Sequence, residues 1–131
     1  MLSPILAVSD IDASVEFYVQ KLGFSKNWSI PDDSGKTDFA SVQLGDAEIL
    51  LGVLEGYVEP QDLGKRGIGI QIYIELSQGL KVDDIYHKAK TGGANIIKDI
   101  ADRDWGERVF TVKDIDGYHL MIAQRIKKED S

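Results

Sequence analysis

A chain of 131 residues with 43% apolar content is one ordinary domain with enough material for a core. It carries no cysteine, which excludes disulfides and thiolate metal sites, and no apolar run near the ~20 residues of a membrane span. Acidic residues outnumber basic ones by 22 to 15; the net charge of −7 disfavours nucleic acid and mildly favours a cationic ligand, although it also serves plain solubility.

Met1-Leu2-Ser3-Pro4 lacks the basic start of a signal peptide, and Asp10 and Asp12 interrupt the apolar stretch early, so the expected compartment is the cytoplasm. Ile5 to Val8 reads as a short strand. Ser9 or Asp10 can cap the helix that follows, because a short side-chain oxygen satisfies first-turn N–H groups. Val15, Tyr18, Val19 and Leu22 recur at helical spacing, and Gly23 suits a left-handed helix end. Phe24 to Ile30 is a strand, Pro31 to Gly35 a turn, Phe39 to Leu44 a third strand and Ala47 to Leu54 a fourth. The Gly45-Asp46 pair between the last two is a hairpin signal.

Tyr57 to Gly67, with Pro60, Gly64 and Gly67, reads as a linker, and the order then repeats. Ile68 to Leu76 alternates apolar and other residues as a half-buried strand. Val82 to Thr91 is a helix with Ile85 and Ala89 inward and His87 towards solvent, ended by Gly92-Gly93. Ala94 to Ile100, Arg108 to Lys113 and Tyr118 to Gln124 are strands, with a turn at Asp114 to Gly117, and Lys127 to Ser131 is a charged tail. The fold class is therefore α+β: two tandem βαβββ modules, about 1–56 and 68–126, in a single domain spanning 1–131. Each helix covers one face of its sheet, and the opposite faces can curl together into a cup.

Val8-Ser9-Asp10, Ser14, Phe17-Tyr18 and Leu22-Gly23-Phe24 look like the opening motif of the vicinal-oxygen-chelate superfamily. Trp105-Gly106-Glu107-Arg108-Val109-Phe110 and Asp114-Ile115-Asp116-Gly117 resemble its closing motif, with Ile115 where a proline is usual and Tyr118 where an asparagine is usual. The resemblance, closest in style to bleomycin-resistance proteins, implies paired modules, a cupped mixed sheet with helices outside, and a homodimer. The superfamily holds glyoxalase I, extradiol dioxygenases, fosfomycin-modifying enzymes and bleomycin-resistance proteins, so it does not decide between catalysis and binding.

Metal-dependent members place His, Glu or Gln on the inner face of the first and last strand of each module. The matching positions here are Ser3, Leu50, Gln71 or Gly69, and Met121. Leucine cannot ligate, and a thioether suits copper(I) and not hard divalent ions. No metal or other cofactor is therefore expected. A displaced set built from Glu48, Gln71 and His119 is the alternative, and with it a metal-dependent lyase, isomerase or dioxygenase. No catalytic residue is assigned: no serine lies in a nucleophile elbow, and Gly64-Lys65-Arg66-Gly67-Ile68-Gly69 lacks the strand-to-helix setting of a phosphate loop.

What remains is a lined cup. Trp28 and Trp105 fall near strand ends, at a rim, and Glu48, Leu50, Gln71, Tyr73, Arg108, His119 and Met121 are the other candidate ligand-binding residues. Tryptophan faces hold flat or cationic groups, and Glu48 adds attraction for a positive charge. The leading expectation is a metal-free protein that sequesters a flat or cationic small molecule, such as an antibiotic, in the groove of a homodimer, with neither membrane nor nucleic acid as partner. The competing account makes Trp105 a core residue and pairs Glu48 with Arg108.

Overall fold

The computed structural model describes residues 1–126, and the charged tail lies outside the described residues. The first module runs β1 (Ile5–Ala7), α1 (Ile11–Leu22), β2 (Ser25–Pro31), β3 (Thr37–Leu44) and β4 (Ala47–Gly52). The second runs β5 (Gln71–Glu75), α2 (Val82–Thr91), β6 (Asn95–Asp102), β7 (Glu107–Lys113) and β8 (His119–Arg125). The sheets are ordered β1-β4-β3-β2 and β5-β8-β7-β6, each with one parallel pair, β1 with β4 and β5 with β8. Two tandem βαβββ modules are thus present, as the sequence predicts.

Local chemistry explains the helix ends. The Asp10 carboxylate accepts the Ala13 N–H at 3.0 Å, and Gly23, at φ 81°, closes α1 in the left-handed region. No side chain of its own segment caps α2; the Gln124 side-chain oxygen of β8 accepts the Val82 N–H at 2.8 Å instead. Ile11, Ser14, Phe17, Tyr18 and Leu22 form the buried stripe of α1, while Val15 and Val19 are only half-buried flanks. Val42, Leu44, Ile49 and Leu51 meet that stripe. Phe110, Val112, Leu120 and Ile122 meet Val82, Tyr86 and Ala89 of α2, and the two sets join in one core.

The modules are fastened by the β7–β8 turn. Asp114 Oδ1 accepts the N–H groups of Asp116 and Tyr118, each at 2.9 Å, and its Oδ2 accepts the Tyr18 hydroxyl of α1 at 2.7 Å. The Asp116 carboxylate takes the Ser9 N–H at 2.9 Å and Arg66 Nη1 at 2.6 Å, and the Tyr118 hydroxyl donates to the Ala7 carbonyl at 3.0 Å. The opening and closing motifs therefore meet in space: each supplies partners that the other buries.

Three expectations need correction. The strand read from Ile68 begins only at Gln71, because Gly67 and Gly69 both take φ 81° and turn the chain there; Ile70 is 65% exposed. The stretch from 57 to 67 holds a short 3-10 helix, Pro60–Lys65. Strand β4 stops at Gly52, before the predicted Leu54.

Candidate functional site

Strand pleating sorts the candidates by face. On β7, Phe110 and Val112 point to α2, so Glu107, Val109, Thr111 and Lys113 point to the opposite, helix-free face. Register adds Met121, opposite Thr111, and His119, opposite Lys113; Tyr73 and Gln71 of β5 lie beside Met121 and His119. On the first sheet the equivalent row is Ile5, Leu50 and Ser41, with Trp28 opposite Ser41. Leu50 and Met121 hold equivalent places in the two modules.

Trp105 is 59% exposed, so it is not a core residue. It is nevertheless fixed, because its indole Nε1 donates to Glu107 Oε1 at 2.7 Å. The following glycine, Gly106, at φ 90°, turns the backbone into β7. Glu107 Oε2 accepts the Tyr73 hydroxyl, and Glu107 itself is only 4% exposed. Burial, and then the bond to the Glu107 carboxylate, push the Tyr73 phenol far above its ordinary pKa, so Tyr73 is a donor at all working pH. Trp105, Met121, Thr111, Gln71, Lys98 and Arg103 border a cavity of about 390 Å³. A second hollow of about 750 Å³ adjoins it at Gln71 and is bordered by His119, Lys113, Arg66 and the turn at 67–70.

The first sheet carries a different group. Glu48 accepts Ser41 Oγ at 2.6 Å and Ser3 Oγ at 3.0 Å, and these hydroxyl bonds hold its carboxyl below the usual range. Asn27 in turn donates to Ser41 Oγ at 3.0 Å and Gln43 Oε1 at 2.8 Å. The Trp28 ring lies 5.7 Å from that of Phe39 and is 39% exposed.

The structure groups Gln71, Tyr73, Trp105, His119 and Met121 on one face. It sets Trp28, Glu48 and Leu50 on the other sheet. Arg108 belongs with neither: it shares the pleat side of Phe110, and its guanidinium bonds Asp83 of α2 at 2.9 Å and Asp102 at 2.6 Å. The account that pairs it with Glu48 does not hold. Glu107, which holds Trp105 and Tyr73, is not among the sequence candidates; its signal is an acid on the same strand parity as Val109 and Thr111.

A divalent metal would need hard donors converging on one point. The row positions offer Leu50 and Met121, which supply none, and Glu48 is held by two hydroxyls in a cavity of about 290 Å³ that Gln71 borders and His119 does not. Among the described residues no three His, Cys, Asp or Glu side chains group as a metal site would. The side chains present do not fit such an ion.

These features have parallels. The crystal structure of TioX from Micromonospora sp. ML1 is similar over 99% of this chain and 99% of its own, with a TM-score of 0.76 at 22% identity. A glyoxalase-related enzyme from Clostridium phytofermentans matches 95% of this chain and 94% of its own, at 22% identity and a TM-score of 0.68. An uncharacterized protein of Mycobacterium tuberculosis is 26% identical over 133 residues, spanning 97% of this chain and 75% of its own length. The family model described as Glyoxalase/Bleomycin resistance protein/Dioxygenase superfamily matches residues 2–122, and the chain belongs to that superfamily.

Proposed function

We propose that this protein binds a small molecule with a flat group, without a metal, on the helix-free face of its second sheet. The observation that carries this reading is Trp105, an exposed ring held in place by a buried carboxylate at the edge of a cavity. An exposed but immobilised aromatic offers stacking area with little further entropy to lose. Gln71, Tyr73, His119 and Met121 complete that wall, and Trp28, Glu48 and Leu50 of the first sheet are the surface that a second copy brings opposite it. Glu48, ionised and half-buried, is where a positive group on the ligand would be read.

A homodimer fits the exposed apolar surface, which includes Leu2, Ile5, Ile30 and Ile70, and the four sheet edges at β1, β2, β5 and β6. The domain so proposed spans 1–131, with modules 1–56 and 68–126, works in the cytoplasm and has neither nucleic acid nor membrane as partner. Sequestering an antibiotic is the specific form of this activity. Among the described residues no helix is long and apolar enough to cross a membrane.

The test is Trp105→Ala, read by calorimetric titration with 1-naphthylacetate and by melting temperature. Losing a stacking partner should weaken binding about fivefold or more while the fold survives. Unchanged affinity rejects the assignment of this wall.

A further inference from the structure

We infer that the groove beside Trp105 ends in a subsite for an anionic group, a carboxylate or phosphate, formed by Lys113, His119 and Gln71. The inference rests on the groove reading above and fixes which charge the far end of the ligand carries. The three side chains form one row across three strands: Lys113 of β7 is opposite His119 of β8, and His119 is beside Gln71 of β5. All three border the same 750 Å³ hollow, and Gln71 also borders the cavity at Trp105, so the two spaces are neighbours that share one wall residue.

The charges around that hollow leave a surplus of cation. Its acid, Asp116, is already taken up by Arg66 at 2.6 Å, the Ser9 N–H at 2.9 Å and Ser14 Oγ at 3.3 Å, with its side chain 3% exposed. Arg66 is equally committed, through that pair and through the Ala7 and Leu63 carbonyls. Among the described residues Lys113, His119 and Gln71 have no side-chain hydrogen bond or ion pair. A lysine, an imidazole and a side-chain amide in one row supply donors to an anion, and an ammonium–carboxylate bond is about twice as strong as a neutral one. The acidic net charge of the chain is thus reversed within this hollow, whereas the cavity at Trp105 balances Lys98 and Arg103 against Asp102 and Asp104. A flat ring at Trp105 with an acidic arm running over Met121 and Gln71 matches this layout.

The experiment compares 1-naphthylacetate with its neutral counterpart 1-naphthaleneacetamide, by calorimetric titration of the full chain. The wild type should bind the anion about tenfold or more tightly. The double variant Lys113→Gln, His119→Gln should bind both compounds alike, at the level of the amide. Lys113→Gln alone should lose part of the preference, and Lys113→Arg, which keeps the charge, should retain it; these singles serve if the double variant unfolds. Equal affinity of the two compounds for the wild type, or an unchanged preference in the variants, overturns the anion subsite. In that case weakening of both compounds by Trp105→Ala keeps the groove reading alive. If neither compound binds the wild type, both fall.

Discussion

Tyr18 and Asp114 come from opposite modules and are buried together; Asp114 Oδ2 is the partner of the Tyr18 hydroxyl, while Oδ1 is already occupied by two backbone N–H groups. Burial pushes the Asp114 carboxyl above its ordinary pKa, and the Tyr18 hydroxyl partly offsets this. A carboxyl raised on folding binds its proton more tightly in the native state. Its charged form therefore opposes folding at neutral pH, and that opposition fades as the pH falls towards the raised value. Tyr18→Phe keeps the ring but leaves Asp114 Oδ2 without its donor. The expected cost is about 1–3 kcal/mol at pH 7, and less at pH 5, where the carboxyl is easier to protonate. Urea unfolding at the two pH values measures it; an equal loss at both would mean that the bond to the carboxylate contributes little. Trp105 lies at the other extreme. Trp105→Ala should cost well under the ~3–5 kcal/mol of a core aromatic, since most of its surface is already in water. A loss of that full size in thermal unfolding would return Trp105 to a structural role.

At the scale of elements, two glycines in the turn before β5 separate strain from crowding. Gly67 and Gly69 share φ 81°, but a Cβ on Gly67 would lie 3.1 Å from the Tyr118 ring, whereas one on Gly69 meets nothing within 4 Å. Gly69→Ala should cost the left-handed penalty alone, about 1–2 kcal/mol, and Gly67→Ala more. Equal losses in denaturant titrations would show that Tyr118 yields freely. The same turn shows where sequence patterns mislead. Alternation of Ile68, Ile70, Ile72 and Ile74 imitates a strand, and nothing in period-2 patterning reveals that the chain turns through two left-handed glycines first. By contrast, Val82–Thr91 was legible to the residue, because Ile85 and Ala89 set a helical period and Gly92-Gly93 ends it. The site was legible only by pleat parity. Tyr73, His119 and Met121 share a face because period 2 fixes them relative to Gln71. Arg108 lies one position from the site face: its neighbour Glu107 takes the inward place and Arg108 the helix side. Glu107 is not legible in the local pattern, because its role depends on Tyr73, a residue of another strand.

For the whole molecule, the internal repeat has diverged in chemistry while keeping its geometry. Equivalent rows hold Ser3 with Glu48 on one sheet and Gln71 with His119, beside Lys113, on the other, one carrying a carboxylate and the other an ammonium. Two copies related by a two-fold axis could set the unlike faces opposite each other, which is the physical appeal of the dimer. Sedimentation at micromolar concentration should give about twice the 14.5 kDa chain mass; a monomer would leave the groove one-sided. The central claim is that this chain holds a flat small molecule without a metal. Its most direct test is thermal shift in EDTA against a panel of flat aromatic compounds, for the wild type and Trp105→Ala. A compound at a hundred times its dissociation constant should add about 2.7 kcal/mol to the wild type, and far less to the variant. A panel with no shift, or a shift that appears only when zinc, nickel or manganese replaces the chelator, would contradict the account.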